Sequence, residues 1–433
     1  MTRNDDATRG FETRQIHSGA DATHEQGSRI TPIHQTAGYL FDSFDEGSDR
    51  FQGRSARLVY SRAGNPTNQV AERRLADLEG GIDAILTGSG QAAIFSALLG
   101  LAGAGDTIVA TSSLYEGTKQ LFRNSLTRQG LTFRFVPQDA DDATWDAAID
   151  DRTKAIYTET IPNPKIDVVD IPRIAGIAHR HGLPLVVDST VSTPFLQRPL
   201  EHGADVVVHS TSKWLSGHGA VLGGAIIAGS AFDWSAHPER YPHLHAPFRA
   251  SGETYVEKFG ARAYPTFLRS VVVNDYGPTL SAQSAWLLLL GLETLSLRME
   301  RHIANTEAIV RWLAEQPNVR SIDHPSAPGN RYAEVAARLL PRGAGSVVSF
   351  DLAGGYESAR RFIDSLELVS PMTHIGDVRS LAIHTGSTIH GRLTEEERLS
   401  IGITPGLIRL SVGLETVDDI IADLDRAIRV AHA

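Results

Sequence analysis

The feature that most constrains this chain is an alternation. Between residues 91 and 210, short apolar runs recur with stretches of helical periodicity. The runs are TIVAT (107–111), LTFRFV (131–136), KAIYTE (154–159), PLVVDS (184–189) and DVVVHS (205–210); the helical patterns fall at 91–102, 115–129 and 171–181. A strand buried on both faces reads as a continuous apolar run, and strands separated by helices pair in parallel. The segment therefore predicts an α/β fold with a mostly parallel sheet covered by helices. GGAIIAG (223–229) follows DVVVHS too closely for a crossover helix, so this strand is expected to run antiparallel.

The flanking regions are less regular. Residues 1–70 hold few long periodic runs and read as an extended arm with short helical pieces, of the kind that packs on a partner subunit. NQVAERRLADLEGG reads as an amphipathic helix stopped by Gly80-Gly81. Residues 230–275 are rich in His, Pro, Tyr and Arg and read as an inserted loop region rather than core. The stretch from 280 to 316 reads as long helices leading to a smaller α/β unit with strands SVVSFDL, SLAIH and LIRLSVG. The expected division is an arm (1–70), a large domain (71–290) and a C-terminal domain (291–433).

Composition narrows the function classes. A formal net charge of -10 argues against general affinity for nucleic acid or anionic membrane. With no cysteine, disulfides, thiolate metal ligands and a cysteine nucleophile are excluded, which fits a reducing cytoplasm. The opening residues are polar and lack the apolar stretch of a signal peptide. The apolar run in AWLLLLGLETL is too short to span a bilayer and reads as a buried helix.

Ligands of doubly wound sheets sit beyond the carboxyl ends of the strands, and several polar residues fall there. Asp188 closes PLVVDS; it is either a turn cap or a buried carboxylate in need of a partner. Ser210, Ser212 and Lys213 follow DVVVHS; the lysine is either exposed or an amine able to form a Schiff base, with hydroxyls suited to phosphate. Ser89, Gly90 and Gln91 open a helix, as an ordinary cap or as an anion site. Tyr115 opens another helix, as a packing residue or a stacking platform. Tyr60 and Arg62 lie beside a turn, where the arginine suits a phosphate or a surface acid. Asn163, before a proline, is a turn residue or a donor to a ligand oxygen. Arg409, inside an apolar strand, needs an acid: a structural one or a substrate carboxylate. His237, His243 and His245 show no clean metal spacing, and no metal site is expected.

Taken in order, YSRAGNPT, GSGQAA, LYEGT, ETIPNP, VVDST, HSTSKWLSGHG, LGLETLSLRMERH, SLAIHTGSTIH and TPGLIRLSVGLE resemble the pyridoxal 5'-phosphate (PLP)-dependent enzymes of cysteine and methionine metabolism, across about residues 11–430. The long 230–275 stretch, with FDW and YVEKFGARAY, is most similar to the O-acetylhomoserine sulfhydrylase branch. The resemblance implies fold-type I, with a mostly parallel seven-stranded sheet and a smaller C-terminal domain, in a homotetramer built from two dimers. It implies Lys213 as the Schiff-base lysine, Asp188 on the pyridine nitrogen and Tyr115 stacked on the ring. Ser89, Gly90, Gln91, Ser210 and Ser212 would hold the phosphate, joined by Tyr60 and Arg62 of a neighbouring subunit. Asn163 would sit near O3'. Arg409 would grip the substrate carboxylate, with Tyr60, Asn163 and His374 nearby.

The implied reaction is γ-replacement on O-acetyl-L-homoserine by sulfide or a small thiol, giving homocysteine or methionine and acetate. A γ-lyase, a cystathionine γ-synthase-like enzyme and a non-catalytic PLP-binding protein are the alternatives. The chain departs from the family pattern at Ser212, where Thr is common, at Glu116 for Gly, at His374 for Asn or Ser, at Thr385-Gly386 for Pro-Ala, at Gly406 for Asp and at His34 for Tyr. Glu116 and His374 bear on the substrate pocket.

Overall fold

A computed structural model describes residues 9–20, 27–248 and 252–433. Seven strands form the main sheet: β1 (Asp83–Thr87), β2 (Thr107–Thr111), β3 (Thr132–Val136), β4 (Thr153–Glu159), β5 (Leu185–Asp188), β6 (Val206–His209) and β7 (Gly224–Ala228). Their spatial order is β1-β7-β6-β5-β4-β2-β3. β2 through β6 pair in parallel; β7 is antiparallel to both β6 and β1. The expectation for GGAIIAG holds. β1 escaped the sequence reading: it is a five-residue strand caught between Gly80-Gly81 and the turn at Gly88, and its short run resembles the lead-in to the next helix.

Helices cover both faces. Those that set the site are α1 (Phe11–His17), α2 (Phe44–Phe51), α3 (Pro66–Glu79), α4 (Gly90–Leu99), α5 (Glu116–Gln120), α6 (Asp142–Ala148) and α7 (Ile171–Arg180). α3 ends at Gly80, which takes a left-handed φ of 78° and closes the helix as a C-cap glycine does. The helix expected over 115–129 is interrupted: α5 passes into a π-turn at Leu121–Leu126 and a 3-10 turn at Thr127–Gln129. Such a bulge re-aims side chains without ending the helix. α6, between β3 and β4, was not anticipated.

Residues 230–275 are not the loop region expected. Among the described residues of this stretch, Trp234, Tyr241, Leu244, Tyr255, Tyr264 and Leu268 are buried in the core on one side of the sheet. Trp234 stacks on Tyr264 at 5.0 Å. Tyr241 and Tyr264 donate their hydroxyls to the carbonyls of Lys154 and Ala97. Aromatic residues whose polar tips find backbone acceptors can be buried in irregular chain, so the Pro- and His-rich composition concealed a core layer.

The helices Ala282–Leu292 and Leu295–Ala314 lead into a second sheet of β8 (Val319–Asp323), β9 (Val347–Leu352), β10 (Ser370–Pro371), β11 (Leu381–His384) and β12 (Leu407–Ser411), in the order β10-β11-β12-β9-β8. Only β10 and β11 pair in parallel.

Candidate active site

Strand order reverses in the main sheet between β2 and β4, since β3 lies outside β2 while β5 and β6 run the other way. A crevice therefore opens beyond the carboxyl ends of these strands. A cavity of about 220 Å³ occupies it toward β5 and β6. Ser89, Gly90, Gln91, Tyr115, Asn163, Asp188, Ser210, Ser212, Lys213 and Arg409 all line it. Residues from positions 89 to 409 thus converge on one space.

The wall nearest α4 is built to accept an anion. Ser89 caps the helix, its Oγ accepting from Ala92 N–H at 3.1 Å, which leaves the N–H groups of Gly90 and Gln91 without helical acceptors. A Cβ on Gly90 would lie 2.6 Å from Cβ of Ser210. Glycine is what allows α4 to abut the end of β6. Ser210 N–H donates to Thr190 Oγ1, and Ser212 Oγ accepts from Gly223 N–H at 2.9 Å.

The floor is acidic. β4 and β5 pair in register, which sets Glu159 beside Asp188 on one face of the sheet. Burial raises both carboxyls above the ordinary range, and Asp188 raises Glu159 further. Two buried acids side by side favour the uptake of a proton or a cation. Asp188 Oδ1 accepts from Thr190 N–H at 2.9 Å, and Glu159 Oε1 accepts from Tyr115 N–H at 2.8 Å. Glu159 was missed in the sequence, although it closes an apolar strand just as Asp188 does.

The amine and the guanidinium face each other across the cavity. Burial, and then the charge of Arg409, push the Lys213 ammonium down to about 8. Lys213 Nζ donates to Nδ1 of His374 at 3.0 Å. Burial and Lys213 push His374 down to about 4, so its ring is neutral near pH 7. His374, expected near a substrate carboxylate, touches the lysine amine with its ring and offers its carbonyl to Arg409; it is not among the cavity-lining residues. Arg409 is 2% exposed. It donates to the carbonyls of Thr373 and His374 and to Asn163 Oδ1, and its Nε has no partner. Among the described residues no carboxylate pairs with it. An acid-free buried guanidinium is a receptor for an incoming carboxylate.

Tyr60 and Arg62 are not brought to this cavity within one chain. They line a separate cavity of about 330 Å³ with His34 and Asn65, where Tyr60 is 48% exposed under the Arg62 guanidinium. His243 and His245 each lie 3.1 Å from a backbone carbonyl, those of Gly100 and Trp234.

Comparison with known proteins gives the family. The family model for Cys/Met metabolism PLP-dependent enzymes matches residues 12–429. A homocysteine synthase of Schizosaccharomyces pombe is 43% identical over 97% of this chain and 98% of its own. An O-acetyl-L-homoserine sulfhydrylase of Corynebacterium glutamicum is 42% identical over 96% of each chain. Among solved structures, an O-acetylhomoserine (thiol)-lyase of Campylobacter jejuni, carrying N'-pyridoxyl-lysine-5'-monophosphate, superposes with a TM-score of 0.93 at 37% identity. It covers 97% of this chain and 100% of its own. A cystathionine γ-lyase of Lactobacillus plantarum, complexed with L-serine, superposes at 0.83 with 33% identity, over 98% of this chain and 100% of its own. With a match that runs almost from end to end on the same fold, the chain belongs to the PLP-dependent enzyme family of cysteine and methionine metabolism.

Proposed function

We propose that this enzyme exchanges the acetyl-ester oxygen of O-acetyl-L-homoserine for sulfur, giving homocysteine and acetate from sulfide, or methionine from a methyl thiol. The observation that carries the reading is the cavity that sets an amine of lowered basicity opposite a guanidinium with no acid of its own. The substrate is named from the relatives, which are homocysteine synthases and O-acetyl-L-homoserine sulfhydrylases over nearly their full length.

The side chains present suit PLP. The cofactor's phosphate suits the N–H groups of Gly90 and Gln91 and the hydroxyls of Ser210 and Ser212. Its protonated ring nitrogen suits Asp188, whose carboxyl has no ion pair among the described residues, and the half-exposed Tyr115 ring suits its face. Asn163 suits its phenolic oxygen, and Lys213 its aldehyde. When bound, PLP supplies an electron-withdrawing ring that acidifies the substrate Cα proton.

The remaining steps fall to the chain. Arg409 holds the substrate α-carboxylate by a two-pronged contact. Lys213, once released by the substrate amine, is the base over Cα and then over Cβ. Its lowered basicity leaves roughly a tenth of it neutral at pH 7, and about half at pH 8. Asn163 keeps the Arg409 fork aligned through its 3.3 Å contact. Tyr60 and Arg62 complete the phosphate site from a second copy of the chain, in a homotetramer assembled from dimers.

We also read the chain as an arm (1–70), a large domain (71–290) and a C-terminal domain (291–433), working in the cytoplasm. The complete lack of cysteine supports that compartment. Among the described residues no helix is long and apolar enough to cross a membrane.

A γ-elimination is the second reading, favoured by the likeness to a cystathionine γ-lyase. Incubation with O-acetylhomoserine plus sulfide, and separately with methionine, decides. Homocysteine in the first supports replacement; 2-oxobutanoate in the second, with no homocysteine in the first, replaces it by elimination.

A further inference from the structure

A second cavity, about 390 Å³, opens beyond β2, β3 and β4 on the far side of Asn163 from the cofactor cavity, and Asn163 lines both. Three long cationic side chains line it. Lys165 is neutralised by Asp323 at 2.6 Å, and Arg331 by Asp139 at 3.4 Å and Asp167 at 3.7 Å. Lys119 is the third. It is 9% exposed, and among the described residues its ammonium has no hydrogen bond or ion pair. His390 lines the same wall at 3% exposure, and its buried Nδ1 has no partner. Two polar groups, each more than nine-tenths buried and unpartnered, thus face one space. The Lys119 stem is buried while its ammonium still reaches the cavity, where among the described residues no counter-ion bonds it. Glu116, one turn earlier on α5, and Glu159 lie near enough to favour the charged form of Lys119 without bonding it.

We propose that Lys119 and His390 form a monoanion site that takes the sulfur donor as hydrosulfide or thiolate. The proposal rests on the replacement reading above. The overall exchange balances as one anion in and one out: hydrosulfide forms a bond to Cγ, the Cγ–O bond breaks, and acetate leaves with the electron pair. A cationic wall beside Asn163 gathers the entering anion next to the substrate held by Arg409. The departing acetate shares this chemistry, so the test separates the two sources.

The test uses the PLP-loaded enzyme. Lys119→Met should raise the KM for sulfide about tenfold, while the KM for O-acetylhomoserine stays within about twofold. Lys119→Arg should recover most of the loss. Acetate should inhibit the wild type competitively against sulfide, and calorimetry should show one fewer acetate site in Lys119→Met than in the wild type, with any acetate held at Arg409 still bound. An unchanged sulfide KM overturns the proposal. So does acetate inhibition that competes only with O-acetylhomoserine, which would assign the site to the leaving group. If Lys119→Met fails to fold, as judged by circular dichroism, His390→Asn carries the same two measurements. Failure of the wild type to make homocysteine would sink the replacement reading instead, while acetate binding would still report on the site.

Discussion

An amine buried beside a guanidinium gives up its proton more readily than one in water, because both burial and the like charge disfavour the ammonium. At Lys213 the two effects act together and bring it to about 8. Only a neutral amine attacks an aldehyde, so PLP uptake by cofactor-free protein should quicken as pH rises through about 8 and level off above it. Stopped-flow absorbance of the bound cofactor measures this; a flat profile from pH 6.5 to 9 would refute the role. Lys213→Ala should show neither that absorbance nor turnover. Arg409→Leu should move the midpoint upward by removing the neighbouring charge, and should lower kcat/KM by about a hundredfold or more through loss of the carboxylate grip. At this scale the sequence was partly legible. Asp188 and Arg409 stand out because each closes or interrupts an apolar run, and Lys213 because it follows one among small hydroxyls and glycines. Lys119 and His390 do not: one sits in a short polar helix and the other in a turn, and only burial makes them unusual.

Elements place these residues within tenths of an ångström. α4 can point its first N–H groups into the cavity only because Gly90 lets it touch Ser210. Gly90→Ala should therefore push the helix away and weaken PLP binding by an order of magnitude or more, read by titration of cofactor-free protein; unaltered affinity would show that the contact does not set the site. A second element-level device is His302, on the helix Leu295–Ala314, whose Nδ1 lies 2.7 Å from the Val412 carbonyl at the end of β12. Burial pushes its ring down to about 4. The unfolded chain takes up a proton near pH 6.5 and the folded chain only near 4. Stability is thus complete above 6.5 and falls by on the order of 3 kcal/mol as pH drops through that window. The urea midpoint of the wild type should fall between pH 7 and 4.5, and by less in His302→Asn; equal falls would exclude this histidine. The central strands were legible because burial on both faces makes them uniformly apolar. β1 was hidden by its place directly between Gly80-Gly81 and the turn at Gly88, and α6 by its polar sequence DATWDAA. The 230–275 layer was hidden because its polar tips are satisfied by backbone carbonyls, which composition does not reveal.

At the scale of the whole molecule, the proposed phosphate site draws on two chains. Tyr60 and Arg62 face a different cavity from Lys213. The same N-terminal region leaves Leu40 and Phe44 each 90% exposed, apolar surface that a second chain could cover. A second copy that covers these residues and delivers Arg62 to its neighbour's phosphate satisfies both facts at once. That arrangement has a measurable consequence. Lys213→Ala and Arg62→Ala are each expected to be inactive alone, the first for want of the amine, the second for want of a phosphate ligand. When the two are unfolded and refolded together, half of the dimers should be mixed. In each mixed dimer one site joins an intact Lys213 to an intact Arg62 from across the interface, and about a quarter of wild-type activity should return. If Arg62 serves its own chain instead, mixing restores nothing, because no site can then combine the two intact residues.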